Sequence, residues 1–216
     1  MKLNGSSENM KKYLDYLIKS IFAGIMIGIA GTVYLRVDNN LFGSFLFSIG
    51  LLVICMYGMN LFTGKVGYIL INKLNYIYEL LITIAGNFIG TFLVARLILL
   101  TRFKSISDKA IEIVNLKLDD NILSIFILSI LCGILMYIAV NNYKKINNEI
   151  GKYSCIFMCV MVFILSGFEH SIANMYYISV SGIYTLKSLL YILIMLLGNS
   201  VGSILIALYY NRFYKN

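Results

Sequence analysis

The side chains best placed to do chemistry are His170 and Glu169, in the stretch Ser166-Gly-Phe-Glu-His-Ser-Ile-Ala-Asn-Met175. His170 is the only histidine of the 216-residue chain, and no other Asp, Glu, Lys, Arg or His lies between Tyr153 and Leu186. A histidine beside a carboxylate can exchange protons near neutral pH or orient a hydrogen bond. Ser166 and Ser171 nearby also raise the possibility of an intramembrane enzyme. Neighbours on one loop seldom adopt nucleophile–base geometry, however, and no second base or oxyanion glycine motif accompanies them. The apolar window around the pair is too long for one ordinary span of about 20 residues and too short for two. An ionisable pair inside such a window marks a functional site facing a cavity.

The elements that carry this pair are read from composition and from charge-free runs. Hydrophobic residues make up 60% of the chain and charged residues 13%, with a mean hydropathy of +0.83. Soluble domains carry about 25% charged residues, so this is an all-α integral membrane protein. The net charge of +8 belongs to lysines flanking spans and marks orientation and headgroup contact, not nucleic-acid binding. The first 20 residues hold Lys2, Glu8, Lys11, Lys12, Asp15 and Lys19 and predict no cleavable leader; the first span serves as its own insertion signal. Cys55, Cys132, Cys155 and Cys159 sit in apolar runs as packing residues. No metal site or cofactor is expected.

Lys11 to Ser20 is amphipathic and predicts an interfacial segment before a first span at about Ile21 to Leu35. A second span begins near Leu41 and is interrupted by Gly58-Met-Asn60 and Thr63-Gly64; a third covers about Tyr76 to Leu100. Residues 101–120 form a polar loop or surface helix, followed by a fourth span at about Asn121 to Val140. The fifth holds the Glu169–His170 break, and the sixth runs about Leu189 to Tyr210. Lysines and arginines lean modestly toward both termini being cytoplasmic.

The halves repeat. Gly24 with its apolar flanks matches Gly133, and at an identical offset Gly58-Met-Asn60-Leu61 matches Gly167-Phe-Glu169-His170; Gly86-Asn87-Phe-Ile-Gly90 matches Gly198-Asn199-Ser-Val-Gly202. Three spans per half require opposite insertion. Inverted repeats of about 12–104 and 120–216, within a single domain of residues 1–216, are therefore expected, with helices 2 and 5 broken. That design places a conduction site at the repeat interface. Thr63 can offer a hydroxyl from one break and His170 an imidazole from the other.

With these motifs in place, the chain resembles the formate/nitrite transporter family over nearly its whole length, most specifically in Gly167–Met175 and in Leu61-Phe-Thr-Gly64. The resemblance implies an aquaporin-like protomer of six transmembrane helices, a homopentamer with one pore per protomer, and a location in the plasma membrane. It implies that His170 is the central pore histidine, Thr63 the threonine facing it, Glu169 the acidic neighbour and Asn199 the pore asparagine of span 6. It makes Lys117 the lysine lending positive potential to a vestibule. Phe47, Leu51 and Phe62 then form one apolar constriction, Phe163 and Leu61 the other, and Met136 a lining position. Departures are Asn60 where the family often has glutamate, Lys65 where it often has asparagine, Ser179 in place of a common proline, and Met136 in place of a smaller residue. The function implied is passage of small monovalent weak-acid anions such as formate, nitrite or hydrosulfide. Transient protonation at His170 would lower the desolvation cost of the apolar rings. A pore for small neutral solutes is the alternative.

Overall fold

The computed structural model describes residues 3–214; Lys2 and Lys215, which entered the orientation reading, lie outside the described residues. Among the described residues the chain is helical, without strands: α1 Leu3–Arg36, α2 Asn40–Met56, α3 Phe62–Lys65 continued by a 3₁₀ turn Val66–Ile71, α4 Tyr76–Leu99, α5 Ile106–Asp119, α6 Ile122–Lys145, α7 Glu149–Leu165, α8 Ser171–Ser181 and α9 Leu186–Phe213. Four of these, Met10–Arg36 within α1 together with α4, α6 and α9, are long and apolar enough to cross a membrane. Their outward faces carry large apolar side chains such as Phe22, Leu81, Leu123 and Leu193, as a lipid solvent requires. α2 and α7 have 17 residues each, and each is followed by a break and a shorter helical piece.

Starts and stops follow local chemistry. Asn39, Asn121 and Asn148 accept from the backbone N–H groups of Phe42, Ser124 and Gly151 and so cap α2, α6 and α7. Thr185 and Ser188 form a reciprocal capping box at α9. α2 ends at Gly58 and α7 at Gly167, both with positive φ (62° and 69°). In each case the residue after the glycine donates back five positions, Met59 to Ile54 at 2.9 Å and Phe168 to Phe163 at 2.9 Å. These are Schellman closures, and glycine enters the left-handed region they need without a Cβ penalty.

The segment 11–20 is continuous with the first span, since α1 runs through it without interruption. Some of its polar groups face the protein, since Lys12 pairs with Glu79 of α4 at 2.7 Å and the Tyr16 ring lies under the Lys65 ammonium. The polar connector contains a true helix, α5, which buries Ile106, Ala110 and Val114 and packs mainly on α8.

α1 packs chiefly on α4, and α6 on α9. Both contacts are close because small residues line them. A Cβ on Gly24 would strike the Asn87 carbonyl, and one on Gly133 the Asn199 carbonyl. These paired approaches set the two asparagines beside the two breaks.

Candidate functional site

Each break is held by one asparagine, and the two do so in the same way. Asn87 accepts from the Phe62 N–H at 2.9 Å and donates to the carbonyls of Ser20 and Asn60, both at 2.8 Å. Asn199 accepts from the Ser171 N–H at 2.9 Å and donates to the carbonyls of Ser129 and Glu169, both at 2.8 Å. The backbone N–H of Asn60 reaches the Lys19 carbonyl as that of Glu169 reaches Leu128. Groups freed by interrupting a helix in an apolar interior must be re-satisfied, and this carboxamide clamp does it. Asn199, expected as a pore-lining group, has both N–H donors and its oxygen committed to backbone.

The breaks bring Thr63 and His170 together, Thr63 Oγ1 lying 2.9 Å from His170 Nε2. Thr63 is fully buried and His170 nearly so. The ring's other nitrogen, Nδ1, accepts from the Ala173 backbone N–H at 3.1 Å and caps α8. A nitrogen that accepts carries no proton, so the neutral ring holds its proton on Nε2 and donates it to Thr63. The Thr63 hydroxyl is left free to donate elsewhere. The pair therefore presents one free donor, the Thr63 hydroxyl, and neither of its side chains carries a charge in this state.

Apolar residues surround this pair. Phe163 stacks on the His170 ring at a centroid distance of 5.4 Å and an interplanar angle of 22°, and Phe47 meets Phe163 edge-on at 6.1 Å. Phe47, Leu51, Leu61, Phe62, Met136 and Phe163, the expected constriction residues, are all buried.

Lys117 and Glu169 meet across the fold. The Lys117 ammonium lies 2.7 Å from both carboxylate oxygens of Glu169, and the Asn174 carboxamide donates to the same carboxylate at 2.8 Å and to the His170 carbonyl at 3.0 Å. Lys117, expected to lend positive potential to a vestibule, is the counter-ion of a buried carboxylate, because a carboxylate this deep demands one.

Asn174 was not singled out in the sequence, though its place one helical turn after His170 in a charge-free stretch carried the signal. Its Oδ1 and the Ser171 Oγ are buried without hydrogen-bond partners. Ser203, which donates to the Gly133 carbonyl at 2.9 Å and approaches that of Thr63 at 3.5 Å, gave no sequence signal. Among the described residues, no group of three or more His, Cys, Asp or Glu side chains is arranged to hold a metal ion.

A buried polar pair between two clamped helix breaks, bounded by apolar rings, suits selective passage. Known proteins agree with that geometry. An uncharacterized transporter, YwcJ, from Bacillus subtilis is 29% identical over 182 residues, covering 75% of this chain and 71% of its own length. The formate channel FocA of Haemophilus influenzae is 25% identical over 191 residues, covering 79% and 67%. A solved pentameric formate channel with formate bound superposes with a TM-score of 0.82 at 24% identity, covering 95% of this chain and 99% of that one. An ion channel of the formate/nitrite transporter family superposes at 0.80 with 25% identity, covering 98% and 92%. The family model for formate/nitrite transporters matches residues 1–212. The chain is thus a membrane transport protein, not an enzyme, and it belongs to the formate/nitrite transporter family.

Proposed function

We propose that this chain conducts small monovalent anions of weak acids, formate, nitrite or hydrosulfide, through a pore in each protomer, with transient protonation at His170. The observation that carries the reading is the buried Thr63–His170 pair set among apolar side chains, which we take as the polar waist of the pore. A naked anion at the Phe47–Phe163 ring would lose its hydration without compensation, whereas the neutral acid loses far less. An anion reaching the waist meets the Thr63 hydroxyl as donor, and the Nε2–H of His170 once it turns from Thr63 to the anion. Protonating the resting ring requires Nδ1 to give up its bond from Ala173. The imidazolium is thus a short-lived state, favoured only while an anion stands beside it, and the proton then moves to the anion. The resulting acid passes the apolar ring and ionises again in water.

The architecture we infer is six spans, formed as two inverted repeats of about 12–104 and 120–216 in one domain, with 101–120 as connector. The twin asparagine clamps and Schellman closures support it, since those of one half have their counterparts in the other. The solved pentameric relative supports a homopentamer in the lipid bilayer. We place the protein in the plasma membrane with both termini cytoplasmic, on the lysine bias.

The test is anion uptake by proteoliposomes with His170→Ala, His170→Phe and Lys117→Ala. Unchanged anion flux and pH dependence in all three would sink the assigned roles. A pore for neutral solutes would instead show flux indifferent to pH and substrate charge.

A further inference from the structure

With Lys117 neutralised by Glu169, positive charge that has no carboxylate partner is found on the other side of the Thr63–His170 pair. There a cavity of about 140 Å³ opens between the end of α2, the first break and the last turns of α6, lined among others by Cys55, Leu61, Gly64, Lys65, Tyr143 and Lys144. Its position is set by α6. Leu128, in that helix's first third, accepts from the Glu169 N–H, whereas Lys144 lies in its last turn, about 24 Å farther along the axis. The cavity abuts the pore waist, because Leu61 lines it and Thr63 stands two residues on.

Lys65 and Lys144 both line this cavity. The Lys65 ammonium rests 5.2 Å from the centre of the Tyr16 ring, and that of Lys144 lies 4.4 Å from the Tyr68 ring. Among the described residues neither forms an ion pair; the acid on the facing helix, Glu79, is held by Lys12 at 2.7 Å. Aromatic faces stabilise an ammonium by their quadrupole and leave its charge uncancelled. Two such charges in a small cleft with low-dielectric walls focus a positive potential into it. The half-buried Cys55 thiol lines the same cavity and samples that potential.

We propose that this cavity is an anion-docking mouth, in which Lys65 and Lys144 hold a small monovalent anion at the entrance to the waist. It rests on the anion-channel reading above, and it gives this mouth two lysines that no carboxylate holds, whereas Lys117 on the other side is held by Glu169. The test reads Cys55 chemistry instead of flux. Purified full-length protein carrying Cys155→Ala is labelled with an anionic sulfonatoethyl and a cationic trimethylammonium methanethiosulfonate, with Cys55→Ala as blank and rates normalised to a free small thiol. The expected preference for the anionic reagent is on the order of tenfold at low salt, falling as salt rises. Lys65→Gln with Lys144→Gln abolishes it, Lys65→Arg retains it, and formate slows labelling more than gluconate at equal concentration. An equal preference in wild type and double variant, or a Cys55 that neither reagent reaches, overturns the proposal. Either result leaves the conduction reading standing, since labelling requires no transport; conversely, charge-selective labelling in a protein without anion flux would retire the conduction reading and keep a charged anion-docking cleft.

Discussion

His170 is confined to one hydrogen-bonding role at each nitrogen, accepting at Nδ1 from Ala173 and donating from Nε2 to Thr63. Replacing Thr63 by valine keeps the shape and removes the acceptor. The expected result is a several-fold loss of anion uptake with little change in folding, since the Nε2–H then turns to passing solute or water; uptake assays on Thr63→Val and Thr63→Ser separate the hydroxyl from the volume. Glu169 and Lys117 depend on each other more strongly. Glu169→Gln leaves an ammonium without its counter-ion, and Lys117→Ala leaves a buried carboxylate, each expected to cost about 3–5 kcal/mol. Combining Glu169→Gln with Lys117→Met should recover much of the loss, as a thermal-unfolding cycle on the purified protein would record. Additive losses in that cycle would contradict the pairing. The residue types at this site were legible in the sequence, as the lone histidine and its acidic neighbour stand in a charge-free window. The partnership of Lys117 with Glu169 was not, because 52 residues separate them and spacing within one element says nothing about contacts between distant ones.

Helices α2 and α7 stop where glycine allows the chain to turn left-handed, and the asparagines of α4 and α9 hold the backbone on both sides of each break. Asn87→Ala and Asn199→Ala each remove a side chain that satisfies three backbone groups. The buried groups left behind are expected to cost about 1–3 kcal/mol each, so both variants should fall well below wild type in Tm, and similarly to each other. A large unequal effect would argue against equivalent clamps. Gly58→Ala and Gly167→Ala, which force a Cβ into the left-handed region, should each cost about 1–2 kcal/mol. The broken helices could be read from glycine placement and from an apolar window of the wrong length. The work of Asn199 could not, because an asparagine inside a span bonds equally well to substrate or to backbone, and only the position of Glu169 and Ser171 decides. The continuity of α1 escaped for a similar reason: its amphipathic start faces Glu79 and Lys65, which are protein groups and not lipid headgroups.

Over the whole molecule, two clamped helix breaks meet at Thr63 and His170. The Lys117–Glu169 ion pair stands on one side of that meeting, and on the other a cavity lined by Lys65 and Lys144, neither of them ion-paired among the described residues. Native mass measurement should give five chains per particle, and a stable monomer would contradict the homopentamer. Conduction as proposed turns on the histidine, and the sharpest test is formate uptake by proteoliposomes across pH 5 to 8, corrected for protein-free vesicles, in wild type and in His170→Phe. Wild-type uptake should rise as pH falls. In the variant the anion flux should drop by about tenfold or more, the step that a barrier increase of about 1.4 kcal/mol produces, with the pH dependence flattened. Wild-type rates and an unaltered pH profile in His170→Phe would contradict the role given to the imidazole.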